Sequence, residues 1–156
     1  MNKKLTAGII VLCLFTIIGA SVYQVSKASI PRSVITIDYA GNKTIVDPFS
    51  LEKIDVKGAL SDGKGEKHDV NTKGFRFIDV INLAKVPEEG YKTVKVVSDD
   101  EYAAELTPEE AKDNTKTFFI IDENKETKAQ TLRLIVFGDE NSKRQVKKAA
   151  RIELGK

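Results

Sequence analysis

The hydropathy of the chain divides it unequally. Behind Lys3 and Lys4 an uncharged, mostly apolar run extends from Leu5 to about Val25, and the rest is polar with short apolar pulses. A charge is costly to bury in hydrocarbon, so a run free of charged side chains suits a bilayer, and flanking lysines stay on the cytoplasmic side. The run predicts an N-terminal hydrophobic helix that meets the membrane through residues 5–25 and sends the remainder outward. Two readings stay open. Ser26-Lys27-Ala28 is a small-x-small triplet suited to signal-peptidase cleavage, whereas about 20 apolar residues also span a bilayer as an uncleaved anchor. The anchor is preferred, because the triplet lies far from the most apolar stretch, Ile9 to Ile18.

Beyond this segment the organisation reads as residues 1–28 for export or anchoring, 29–33 as a stalk containing Pro31, and 34–156 as one extracytoplasmic domain. Alternation places Ile35, Ile37 and Tyr39 on one face of a strand. Gly41-Asn42 predicts a turn into a short strand at Thr44 to Val46. Ile54 to Leu60 alternates again and leads to a hydrated loop, Ser61 to Lys67. Phe77, Val80, Ile81 and Ala84 fall on one face of a 3.6-residue period, a helix after Gly74 that Pro87 and Gly90 close. Strands follow at Tyr91 to Ser98 and Tyr102 to Leu106, joined by Asp99-Asp100-Glu101. Thr107-Pro108-Glu109-Glu110 carries a cap, a proline at the first helical position and a glutamate three residues after the cap, so a short helix starts there. Thr117 to Ile121, Leu132 to Phe137 and an extended Val146 to Leu154 complete a strand-rich, mixed α+β domain with two or three helices.

Composition narrows the chemistry. The chain has 25 basic and 23 acidic residues. Setting aside Lys3, Lys4 and Lys27 leaves the domain near neutrality, which gives no support to nucleic acid as a partner. Cys13 is the sole cysteine and lies in the apolar run, so the domain has neither a disulfide nor a thiolate ligand. Leu12 before it is too large for a lipidation signal. Tryptophan is absent, which excludes tryptophan-built sugar platforms, although tyrosine can substitute.

Candidate chemistry is sparse. His68, the only histidine, neighbours Asp69 and could be oriented by it as a base; a surface loop histidine is the simpler reading. Gly63-Lys64-Gly65 lacks the spacing of a phosphate loop. Asp99, Asp100 and Glu101 lack the alternating ligands of a calcium loop. Lys143, Arg144, Lys147, Lys148 and Arg151 form a basic run. It reads either as an edge strand protected by charge or as an anion site, the former being preferred.

From about Val56 to Leu154 the order of features resembles the molybdopterin-binding domain of the sulfite oxidase family. Gly74-Phe75-Arg76-Phe77-Ile78-Asp79-Val80-Ile81 is similar to the family's glycine followed by "x-L-x-D-L-L". Ser98-Asp99-Asp100-Glu101-Tyr102 is similar to "S-x-D-G-Y", with Glu101 for glycine. Leu132 to Gly138, Val146-Lys147 and Ile152-Glu153 are similar to "P-L-R-L-V-V-P-G", "V-K-W" and "I-E". The resemblance implies a pyranopterin fold with cofactor-facing positions at Arg133, Lys147, Arg76 and His68. It also implies a metal-ligating cysteine around His68 to Thr72, where this chain has none. A soft thiolate helps set the geometry and potential of the metal. The expectation is therefore an exported, tethered, non-catalytic relative that binds a surface protein, polymer or small anion. No cofactor is expected; molybdopterin held by the arginines and Lys147 is the alternative.

Overall fold

The computed structural model describes residues 31–87 and 89–156. The apolar run, the cleavage triplet and the predicted N-terminal helix lie outside them. Among the described residues no helix is long and apolar enough to cross a membrane.

Nine strands form two sheets. They are β1 (Ile35–Tyr39), β2 (Asn42–Val46), β3 (Ile54–Ser61), β4 (Lys67–Arg76), β5 (Thr93–Ser98), β6 (Ala103–Leu106), β7 (Thr117–Glu123), β8 (Gln130–Val136) and β9 (Ala149–Gly155). One sheet runs β2-β1-β9-β5-β6, the other β3-β4-β7-β8. All pairings are antiparallel except β1 with β9, which join the two ends of the domain in parallel. The expected α+β class is corrected by these elements. Of the described residues 49% are in strands and 14% in helices, so the protein is mostly β.

The helices are short for local reasons. Helix α1 (Phe77–Asn82) buries Phe77, Val80 and Ile81, the face the periodicity predicts. It tightens into three-residue hydrogen bonds, Ala84 N to Ile81 O and Lys85 N to Asn82 O. The chain then leaves through Lys85 at φ 56°, a left-handed conformation that ends a helix. Helix α2 (Pro108–Lys112) starts with the full capping box at Thr107 and Glu110. Neither helix is long enough to form a layer of its own.

The main core lies between the sheets. Ile35, Ile37, Val94, Val96, Ile152 and Leu154 meet Phe75, Phe119, Leu132 and Leu134, with the buried face of α1 beside them. Each such side chain contributes roughly 1.5–3 kcal/mol when taken from water. A second core occupies the other face of the four-stranded sheet: Val56, Leu60, Phe118, Ile120 and Ile135. That sheet coils, because β3 at one end of its order reaches the chain just past β8 at the other. A Cβ on Gly58 would come within 2.7 Å of the Phe137 ring, and Ser61 Oγ donates to Asp139 O at 2.7 Å. Coiling buries β7 on both faces and accounts for its unbroken Phe118-Phe119-Ile120 run.

Two further boundaries differ from expectation. Pro31 to Ser33, read as stalk, pair with Gln130 of β8: Gln130 N donates to Pro31 O at 2.8 Å and Ser33 N to Gln130 O at 3.0 Å. The compact unit thus begins at Pro31. Strand β4 was not predicted from its polar Lys67 to Lys73 stretch. Only Gly74 to Arg76 pair with β7, so most of β4 has a neighbour on one side and stays exposed.

Candidate functional site

Of the four positions implied by the resemblance, three are engaged by carboxylates of their own. Arg133 on β8 donates through Nε to Asp122 Oδ2 at 2.8 Å and through Nη2 to the same oxygen at 2.7 Å. Arg76, at the end of β4, lies 3.9 Å from Asp79 Oδ2. His68, on the exposed stretch of β4, lies 3.3 Å from Asp62 Oδ2. Strand alternation sends neighbouring Asp69 to the opposite face, so the His68–Asp69 pair cannot act as a base and its orienting acid. Lys147 lies in the turn before β9, next to Val146, whose backbone bridges Leu134 beside Arg133; its side chain makes no ion pair or hydrogen bond among the described residues.

The loop ahead of His68 is organised by Asp62. Its Oδ1 accepts from Lys64 N at 2.8 Å and Glu66 N at 2.9 Å, which holds its carboxyl below the usual aspartate range. Asp62, Glu66 and His68 bring three potential ligand atoms within 4.8 Å of one another on an exposed hairpin. The Asp99-Asp100-Glu101 turn does not converge in this way. Asp99 pairs with Lys148 at 3.7 Å, Glu101 with Arg151 at 3.1 Å, and Asp100 accepts from Ser98 Oγ and from Tyr102 N.

The basic run is not an edge strand. Its end enters β9, which lies between β1 and β5. Most of its charge is spent on structure. Arg144 donates through Nε to Asp139 Oδ2 at 2.9 Å, through Nη2 to Asp139 Oδ1, and through Nη1 to both Glu110 oxygens at 2.8 Å. Hydrogen bonding to Asp139 raises the guanidinium pKa further. Arg151 bridges Glu153 and Glu101, and Lys148 pairs with Asp99.

These ties clamp the β5–β6 turn against residues 142–148. Asp99 N donates to Lys148 O at 3.1 Å, and the Tyr102 hydroxyl donates to Lys143 O. Between the two segments lies a hollow of about 290 Å³, lined by Ser98, Asp100, Tyr102, Ser142, Gln145 and Lys147. Ser98 is buried and donates to Asp100 Oδ1, which with Tyr102 N keeps the Asp100 carboxyl low and ionised. Gln145 donates Nε2 to Ser61 O at 3.0 Å, which assigns its amide oxygen to the remaining side. A larger hollow of about 780 Å³ covers one end of the five-stranded sheet. Four of its charged lining residues are already joined as Lys95–Glu153 and Arg144–Glu110. The smaller one combines an unpaired ammonium with a fixed carboxylate, and it is the better candidate site.

Two signals in the sequence point to this hollow, the Ser98 to Tyr102 stretch and Lys147. Ser142 and Gln145 carried none, being polar residues in a turn. The donors present do not fit a molybdenum pyranopterin. Arg133 and Arg76 face carboxylates of their own, and the described residues contain no thiolate. A family-model scan and a comparison with curated proteins both find no match for the chain. Fold and site together define a two-sheet β domain with a small polar hollow beside its β5–β6 turn.

Proposed function

We propose that the chain is an exported, membrane-tethered, non-catalytic binding module, with residues 5–25 as its anchor and the Ser98–Lys147 hollow as its ligand site. The apolar run behind Lys3 and Lys4 supports export. One observation carries the binding reading. Arg144, Arg151, Arg133 and Lys148 are all matched to carboxylates, while Lys147 borders a concavity with no partner of its own. Concave sites with a few placed polar groups are where small ligands and polymer ends bind. In support of a non-catalytic role, His68 meets Asp62 and, among the described residues, no serine or threonine hydroxyl that it could activate.

Protease treatment of intact host cells tests the export. The domain is expected to be digested from outside, and protection until lysis would overturn the reading. Metal and pterin analysis of protein from its native host tests the other half. Stoichiometric molybdenum with an oxidisable pterin would replace this reading with a cofactor-binding one.

A further inference from the structure

We infer that the Ser98–Lys147 hollow binds one pyranose ring of a carbohydrate, a class of ligand that rests on the reading of the chain as a binding module. A sugar ring presents vicinal hydroxyls, each able to donate and accept, around a C–H face that packs on an aromatic ring. The hollow offers the matching set. Asp100 uses Oδ1 for Ser98 and Tyr102 N, which leaves Oδ2 as a strong acceptor. Gln145 gives its amide hydrogen to Ser61 O, which leaves its carbonyl oxygen as a second acceptor. Lys147 supplies up to three donors, and the Ser142 hydroxyl serves either way.

The aromatic element is Tyr102, one of only three large hydrophobic side chains exposed among the described residues, at 47%. Its hydroxyl donates to Lys143 O, so the ring is held in place before any ligand arrives. An amphipathic ring with a fixed polar end gives contact area at little entropic cost. Charge argues for the same class. Asp100 and Lys147 oppose each other in sign, so the hollow has no net preference for an anion and favours a neutral ligand that both donates and accepts. Its volume, about 290 Å³, suits a single ring rather than a chain of them.

The test uses the full chain, nitrogen-15 labelled in detergent micelles, titrated with glucose, N-acetylglucosamine and short oligomers of each. Amides of residues 98–102 and 142–147 are expected to shift, with affinities of roughly millimolar order. Lys147→Met, at an exposed position without a structural bond, is expected to weaken binding about tenfold without changing the urea midpoint. Asp100→Asn and Tyr102→Ala should weaken it as well, with folding checked separately because both residues hold the turn. Two results overturn the inference: no sugar shifts these amides, or Lys147→Met binds as tightly as the parent. Parallel titrations with inorganic phosphate and glycine separate the two levels. If either shifts the hollow while sugars do not, the carbohydrate class falls and the binding module stands.

Discussion

Gly74 lies against Phe119 so closely that a Cβ built on it would collide with the Phe119 carbonyl oxygen. Such a Cβ would also stand 3.1 Å from Val56 Cγ2 and 3.2 Å from Ile120 Cα. This is the point where β4 passes from the exposed hairpin into its short pairing with β7. The colliding atom is backbone in a paired strand and cannot swing away. Gly74→Ala is therefore expected to cost at least about 2–3 kcal/mol, by overpacking. Gly63→Ala, whose Cβ would meet only Ser142 Oγ at 3.6 Å, should stay within about 0.5 kcal/mol of the parent. Urea denaturation of the two variants decides, and equal midpoints would refute the argument.

Glu101 sits at φ 64° in the β5–β6 turn, the position where the resembling motif has glycine. An L side chain in the left-handed region costs roughly 1–2 kcal/mol, which glycine avoids in exchange for some chain entropy. The Arg151 partner adds little, since the Glu101 side chain is 73% exposed. Glu101→Gly is expected to stabilise the domain by about 0.5–1 kcal/mol. Glu101→Ala removes the same carboxylate but keeps the strain, so it should give no gain. Thermal melts of the pair separate backbone relief from charge loss.

What could be read from the sequence follows from which residues face a core on one side only. β1, β5 and β8 alternate or are strongly apolar, and each lies within two or three residues of its predicted place. The Thr107–Glu110 cap is wholly local chemistry and forms as expected. β4 escaped because its Lys67 to Lys73 half is held by one neighbour in solvent and has no apolar face to show. The class was misjudged for a related reason: the apolar period from Phe77 to Ala84 spans a six-residue helix plus the turn at Lys85. Of the residues lining the hollow, the sequence singled out the Ser98–Tyr102 turn and Lys147, but did not bring them together. Gln145 and Ser142 were not singled out, because their roles depend on Ser61 and on the coil of the second sheet.

That coil gives Phe137 a role its half-exposed position hides. Its ring stands 5.7 Å from Phe118, edge to face, and lies under Gly58 of β3. Truncating it removes the contact that brings β3 back to the end of β8. Phe137→Ala is expected to cost about 2 kcal/mol, below the range for a fully buried ring. The loss should be local. Hydrogen exchange at β3 and β4 amides is expected to accelerate, while β1, β5 and β9 keep their protection. A uniform change across both sheets would show that the second core is not a separate unit.

Arg144 ties the turn after β8 to α2, 34 residues away in the chain, and its effect on stability should depend on pH. It bonds Asp139 just past β8 and Glu110 in the first turn of α2. Burial on its own would raise the Glu110 carboxyl, but the Thr107 N–H and the Arg144 guanidinium outweigh it, and the net shift is downward. A carboxyl with a depressed folded-state pKa adds stability that is complete above its unfolded value, about 4.3 for glutamate. That stability is lost as pH falls from there through the lower folded value. Arg144→Met should therefore destabilise the domain at pH 7 by about 2 kcal/mol, the scale of hydrogen bonds to charged groups. The same substitution should flatten the decline below the glutamate range, because Glu110 then titrates closer to its ordinary value. Glu110→Gln keeps a side-chain acceptor for the Thr107 N–H and should flatten the same limb. Urea midpoints at neutral pH and at about pH 3 for parent and variants test this. An unchanged acid limb in both variants would show that Glu110 is not a source of the acid sensitivity.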